Sequence, residues 1–129
     1  DALDYIVGYC IGMDMTLRGA ESASSRKSID GYAVLGPWMV TADEIPDPDN
    51  ISIALSVNGE SLQDSNTSDM MFGITQIVAH ASTFYTLHPG DVIMAGSPLG
   101  FEPVVPGDIM VAEFECIGRM EIHARAHGA

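Results

Sequence analysis

A chain of 129 residues, 47% of them apolar, is long enough for one ordinary domain with a core and too apolar for a disordered segment. Its formal net charge of −13 sets 18 acidic residues against 5 Lys or Arg, a surface that repels nucleic acid and anionic membrane alike. No apolar run reaches the roughly 18 residues of a membrane span, no signal peptide is visible, and Cys10 and Cys116 fit neither a metal spacing nor a redox pair.

Both thiols are expected to be buried and reduced, which suits a cytoplasmic location. In chain order, residues 2–13 are apolar and β-branched and predict a buried strand ending near Asp14. Residues 18–31 are small, polar and charged without an apolar period, and predict a loop. The apolar stretch 32–40 is broken by Gly36-Pro37, which should interrupt any regular strand, and the proline- and carboxylate-rich stretch 41–50 predicts a surface connection.

Strict alternation of Ile51, Ile53, Leu55 and Val57 with small residues predicts a half-buried strand over 51–57. Asn58-Gly59 predicts a tight hairpin turn, because both residues tolerate positive φ, with a return strand over about 60–63. Residues 64–69 are rich in helix-capping types. Met70, Ile74, Ile77, Val78, Ala81, Phe84 and Tyr85 recur at three and four residues, so the main helix is expected over 69–86, ended by Pro89-Gly90. Strands are expected over 92–95, 109–117 and 119–126. One helix among six or so strands makes a single β-rich α+β domain spanning residues 1–129.

Three of the basic residues, Arg18, Arg26 and Lys27, crowd into residues 18–27 beside Asp14 and Glu21. Such a cluster either seats a small anion such as a carboxylate or makes solvated surface ion pairs. Asp14, where an apolar strand meets that loop, either caps a turn or ligates a hard cation through oxygen. Ala95-Gly96-Ser97-Pro98-Leu99-Gly100 is either an ordinary turn or a run of backbone N–H groups and one hydroxyl that grips a carboxylate. The four histidines show no metal spacing, and no G-x-S-x-G marks a nucleophilic serine.

Taken in order, Asp14-Met15-Thr16-Leu17-Arg18, Arg26-Lys27-Ser28-Ile29-Asp30, Leu35-Gly36-Pro37-Trp38, Val40-Thr41-Ala42-Asp43-Glu44-Ile45, Val57-Asn58-Gly59-Glu60, Asn66-Thr67-Ser68-Asp69-Met70, Leu87-His88-Pro89-Gly90-Asp91 and Ala95-Gly96-Ser97-Pro98 form a pattern. It resembles the C-terminal half of the fumarylacetoacetate hydrolase family, including its 2-hydroxyhepta-2,4-diene-1,7-dioate isomerase and acylpyruvate hydrolase branches. The resemblance runs from about residue 3 to residue 126.

The resemblance implies a mixed β-sheet roll, a homodimer, and an enzyme acting on a small 2-oxo acid in aromatic-compound catabolism. The reactions implied are C–C bond hydrolysis, decarboxylation or keto-enol isomerisation. A divalent ion, Mg²⁺ or alternatively Mn²⁺ or Ca²⁺, would act as Lewis acid. By the same resemblance Asp14 matches a metal ligand, and Lys27, in the family's G-K-S-F-D run, carries catalytic positive charge near metal and substrate. Arg18 matches a residue bordering the substrate pocket. Ser97 matches a threonine that binds the substrate carboxylate, and Glu21 stands where the family has a substrate-touching glutamine.

The family draws its Glu-x-Glu metal ligands from an N-terminal half that this chain does not contain. Glu113-Phe114-Glu115 reads instead as exposed strand surface. The alternative is therefore a truncated or degenerate, non-catalytic domain acting by association, with apolar edges exposed for lack of partner strands.

Overall fold

The computed structural model describes residues 2–126. Its strands are β1 (Gly8–Asp14), β2 (Ala33–Thr41), β3 (Ser52–Val57), β4 (Glu60–Asn66), β5 (Ile109–Phe114) and β6 (Gly118–His123); its α-helices are the single-turn α1 (Ala23–Lys27) and the main helix α2 (Ile74–Phe84). β1 and β2 form a two-stranded sheet, and β4-β3-β5-β6 a four-stranded one. Every pairing among the described residues is antiparallel. The strand-rich α+β class with one main helix is the expected one.

The core lies where the two sheets meet. Ile11 and Met13 of β1 pack with Met110 and Ala112 of β5, Met120 of β6, and Ile45, Ile51 and Ile117 from the connections. Ile11 is fully buried. Trp38 ties the sheets at one end, its indole N–H donating to the Ile117 carbonyl at 2.8 Å. Gly118 permits that approach: at φ 130°, a Cβ there would stand 2.6 Å from the Trp38 ring.

Asn58 and Gly59 form the β3–β4 turn with φ of 52° and 85°, as their types predict. Asn58 also reaches across to β5: its side-chain oxygen accepts from Ile109 N–H (2.9 Å), and its amide donates to Asp108 (2.8 Å). β4 is longer than expected because the pairing continues to Asn66, past a bulge: Leu55 faces Gln63 but Ser56 faces Ser61, leaving Leu62 unopposed.

Local chemistry misplaces several boundaries. Residues 2–5 form a 3-10 turn, and β1 begins only at Gly8. β2 runs through Gly36-Pro37, whose peptide bond is cis, but the register there jumps from Tyr9–Val40 to Ile11–Gly36, so the interruption survives as a bulge. Helix α2 starts later than residue 69 because Asn66 and Asp69 cap a separate 3-10 turn. The true helix start is satisfied by Asp49, which accepts from Ile74 N–H at 2.7 Å, and by Gln76, which accepts from Gly73 N–H at 3.1 Å. Its apolar face rests against residues 2–5, with no residue fully buried.

Residues 92–95 do not form a strand: no described strand lies alongside to complete a ladder. The segment crosses the outer side of β1 instead, with Met94 against Gly12. Cys116 is exposed rather than buried, because it occupies the β5–β6 turn at φ 61°; Cys10 is half-buried, and both are free thiols. Glu113 and Glu115 are exposed as expected, Glu113 pairing with Arg119 and Glu115 accepting from Ser52 N–H. Among the described residues no helix is long and apolar enough to cross a membrane.

Two stability predictions follow from this packing. Ile11→Ala should destabilise the protein by about 2–5 kcal/mol, measured by denaturant unfolding, because the surrounding side chains cannot all collapse into the space. The second concerns Asp108, whose carboxyl is held below its ordinary value by the Val105 N–H and then by the Asn58 amide. A carboxyl lowered on folding stabilises above its unfolded value of 3.8 and loses that contribution as pH falls through the folded value. Asp108→Ala should therefore lower the Tm near neutral pH, and melts at decreasing pH should show the gap to wild type closing below 3.8.

Candidate active site

The end of β1 carries Asp14 out of the core. Met15 N–H then donates to the Tyr32 carbonyl at 2.9 Å, and the Thr16 hydroxyl turns back to the Asp14 carbonyl at 3.2 Å. The following loop returns as α1, a helix that residues 18–31 conceal because its five residues have no apolar period. It is fixed by other means. Ser22 caps it, accepting from Ser25 N–H at 3.2 Å, and Leu17 N–H donates to the Arg26 carbonyl at 3.0 Å.

This turn delivers Lys27 to Asp14. The two form a direct ion pair, and the ammonium also donates to the Thr16 hydroxyl at 3.1 Å. Side-chain exposures of 43% for Lys27 and 27% for Asp14 place the pair at a solvent boundary, where such a contact contributes only about 0–1 kcal/mol. Its value is positional: it sets an ammonium beside one carboxylate oxygen.

The opposite wall is residues 97–101. Gln63 anchors it from β4, donating to the Gly100 carbonyl at 2.6 Å. Gly100 sits at φ 107° with its Cα against the Leu62 carbonyl, so any side chain there would strike backbone. Phe101 lies under Arg18, whose guanidinium carbon is 4.5 Å from the ring centroid, a cation–π contact.

Together these elements enclose a cleft of about 270 Å³ lined by Asp14, Thr16, Arg18, Arg26, Lys27, Gln63 and residues 97, 98, 100 and 101. Four of the five site residues expected from the sequence meet there: Asp14, Arg18, Lys27 and Ser97. Glu21 is not brought in. Its carboxylate folds onto the Cα of Gly19, which has no side chain to prevent it. Gln63 and Phe101 join the site unannounced. Gln63 reaches it only through the bulge of β4, and an isolated phenylalanine in a turn carries no distinguishing pattern.

The donor chemistry is suited to a small organic anion. One carboxylate faces three cations, within a chain whose net charge is −13. As a metal site it is partial. Asp14 offers the hard oxygen that a divalent ion accepts, yet among the described residues no group of three His, Cys, Asp or Glu could hold an ion.

The chain matches the fumarylacetoacetate (FAA) hydrolase C-terminal family over residues 1–124. It is 56% identical to a maleylpyruvate hydrolase of Aquipseudomonas alcaligenes, over 97% of this chain and 44% of that protein. It is 39% identical to a 4-hydroxyphenylacetate degradation bifunctional isomerase/decarboxylase of Escherichia coli, over 93% of this chain and 29% of that protein. Among solved structures, maleylpyruvate hydrolase from Sphingobium sp. SYK-6, crystallised in complex with manganese(II) and pyruvate, superposes with a TM-score of 0.92 at 37% identity. That alignment covers 97% of this chain and 46% of the Sphingobium chain. The chain thus spans less than half the length of these relatives.

The close approach at Gly100 makes a local prediction. Gly100→Ala should push residues 97–101 off β4, at roughly 1–3 kcal/mol for the enforced backbone strain, and thermal melts together with ligand titration should show both effects.

Proposed function

The chain belongs to the fumarylacetoacetate hydrolase family, and on that premise we propose that it is the C-terminal part of a divalent-metal-dependent catalytic domain acting on a small 2-oxo acid in aromatic-compound catabolism. The observation that carries this reading is the Lys27–Asp14 pair, set in a cationic cleft whose far wall presents Ser97. An anion-seeking cleft in a strongly acidic chain selects for small acids and against polyanions such as nucleic acid or a membrane surface.

The reaction we favour is hydrolysis of the C–C bond of an acylpyruvate, because the 56%-identical relative is a maleylpyruvate hydrolase. Water adds to the 4-carbonyl of a 2,4-dioxo acid, the C3–C4 bond breaks, one carboxylic acid departs, and pyruvate leaves as its enolate to be protonated. Asp14 would hold the ion, Mg²⁺ or Mn²⁺, through a carboxylate oxygen, with the remaining ligands supplied from outside the described residues. When bound, the ion supplies Lewis acidity to the carboxylate and keto oxygens of the 2-oxo acid.

The chain's own residues have separate tasks. The Lys27 ammonium adds positive charge where the enolate oxygen develops. Arg18, kept in place by Phe101, binds a carboxylate, and the Ser97 hydroxyl with its neighbouring backbone orients it. Glu21, outside the cleft here, would contact substrate only if its loop turned inward. The assembly we propose is a cytoplasmic homodimer.

Calorimetry on the complete protein tests the metal role: Mn²⁺ with oxalate, a 2-oxo-acid mimic, should release heat that Asp14→Ala removes, and heat unchanged by that substitution counts against it. Lys27→Met should lower kcat on an acylpyruvate by roughly 10²–10³-fold, the loss expected when one charge-stabilising donor is removed. If the complete protein turns over no acylpyruvate, oxaloacetate or ring-cleavage diacid, the non-catalytic reading replaces this one.

A further inference from the structure

The β3–β4 turn holds a labile dipeptide in a demanding position. Asn58 is the only asparagine of the chain that a glycine follows; Asn50 and Asn66 precede Ile51 and Thr67. A β-branched side chain crowds its own amide nitrogen, whereas glycine leaves that nitrogen bare. The turn is exposed, and a Cβ built on Gly59 would meet nothing within 4 Å. Among the described residues no carbonyl accepts from the Gly59 N–H. The nitrogen that attacks in deamidation is therefore available.

The group it would attack is not. The Asn58 side chain is drawn across to β5, where its Oδ1 accepts from Ile109 N–H at 2.9 Å and its Nδ2 donates to the Asp108 carboxylate at 2.8 Å. The main chain repeats the tie, with Asn58 N–H donating to the Ile109 carbonyl at 2.8 Å. Both side-chain bonds must break before Cγ can turn back onto the Gly59 nitrogen, and the one to Asp108 is charge-assisted, the stronger kind.

No other residue meets both demands at position 58. Its φ of 52° favours Asn, Asp or Gly. Glycine has no side chain to reach β5, and aspartate would set a second carboxylate against Asp108. The next position takes glycine for its φ of 85°. The fold thus requires the labile pair and restrains it with the same two bonds.

We infer that Asn58 is a deamidation site latched by Asp108 and Ile109, and that its conversion unties the β3–β4 hairpin from β5. The Gly59 nitrogen bonds to Asn58 Cγ and gives up its proton, and the side-chain nitrogen leaves as ammonia, closing a cyclic imide. Water then opens the ring at Cγ to give aspartate, or at the main-chain carbonyl carbon to give isoaspartate. Aspartate puts a carboxylate where an amide donated to Asp108, turning a bond into a repulsion. Isoaspartate adds a methylene to the main chain of the turn itself. Neither metal nor 2-oxo acid enters these steps.

Peptide mapping by mass spectrometry follows Asn58 in the complete protein at mildly alkaline pH. Conversion should be about tenfold or more slower in the folded protein than in the same protein unfolded in urea, the worth of one charge-assisted hydrogen bond. Asp108→Asn leaves one side-chain oxygen for two donors, Val105 N–H and the Asn58 amide, and should speed conversion of the folded protein by about tenfold. Ile11→Ala, which weakens the core and leaves the latch intact, should change the rate far less. Asn58→Asp, the direct product, should lower the Tm. Combining it with Asp108→Asn should recover the Tm, because an amide at 108 then donates to the carboxylate at 58.

A folded rate equal to the unfolded one, no acceleration in Asp108→Asn, or equal acceleration in Ile11→Ala would each overturn the latch. A Tm unmoved by Asn58→Asp, or not recovered in the double variant, would overturn the untying.

Discussion

Along β1, Ile11 and Met13 point into the core, so Gly12 and Asp14 must point the other way. That alternation divides the molecule into a packed side and a chemical side. Shifting β1 by one residue would bury a carboxylate and expose two of the side chains on which the sheets meet. The same strand therefore fixes core and cleft together. Gly12, with no side chain, lets residue 94 cross directly above it and bring the segment of Ser97 down beside Asp14.

Most of the energy that holds this arrangement lies away from the cleft, in the junction of the two sheets. The contacts within the cleft are individually weak: a half-exposed ion pair, one ring beneath a guanidinium, one amide on a carbonyl. Such a site is positioned by backbone that is stable for other reasons. The cleft wall at residues 97–101 has little packing of its own, with Leu99 at 94% and Phe101 at 73% exposure.

What could be read in advance was what local chemistry decides alone. Asn58-Gly59 needs only its own φ preferences to turn, and β3 needs only its alternation. Helix α2 shows its apolar face at the right spacing, although its start had to be found through Asp49, which is distant in sequence. Residues 92–95 look like a strand, but a ladder takes a partner that no periodicity can supply. Within the site, the crowding of Arg18, Arg26 and Lys27 was visible as charge, and the family pattern singled out Asp14 and Ser97. Gln63 and Phe101 were invisible because a register shift and a turn conformation, not residue type, bring them in. The outward Glu21 depends on the missing side chain at Gly19, a contact too local for a pattern to carry.

The bulge at Leu62 reaches further than its own sheet. It turns the Leu62 carbonyl toward Gly100 and leaves Gln63 facing the cleft. Side chains on a strand change face at every residue. Losing the extra residue would hand Gln63 to the far face and release the wall that carries Ser97. The width of the cleft is thus keyed to the count of residues in a hairpin that touches no reacting atom. In this chain the placement of Ser97 is thereby tied to the number of residues between the Asn58-Gly59 turn and Gln63, at a remove from the Asp14–Lys27 pair.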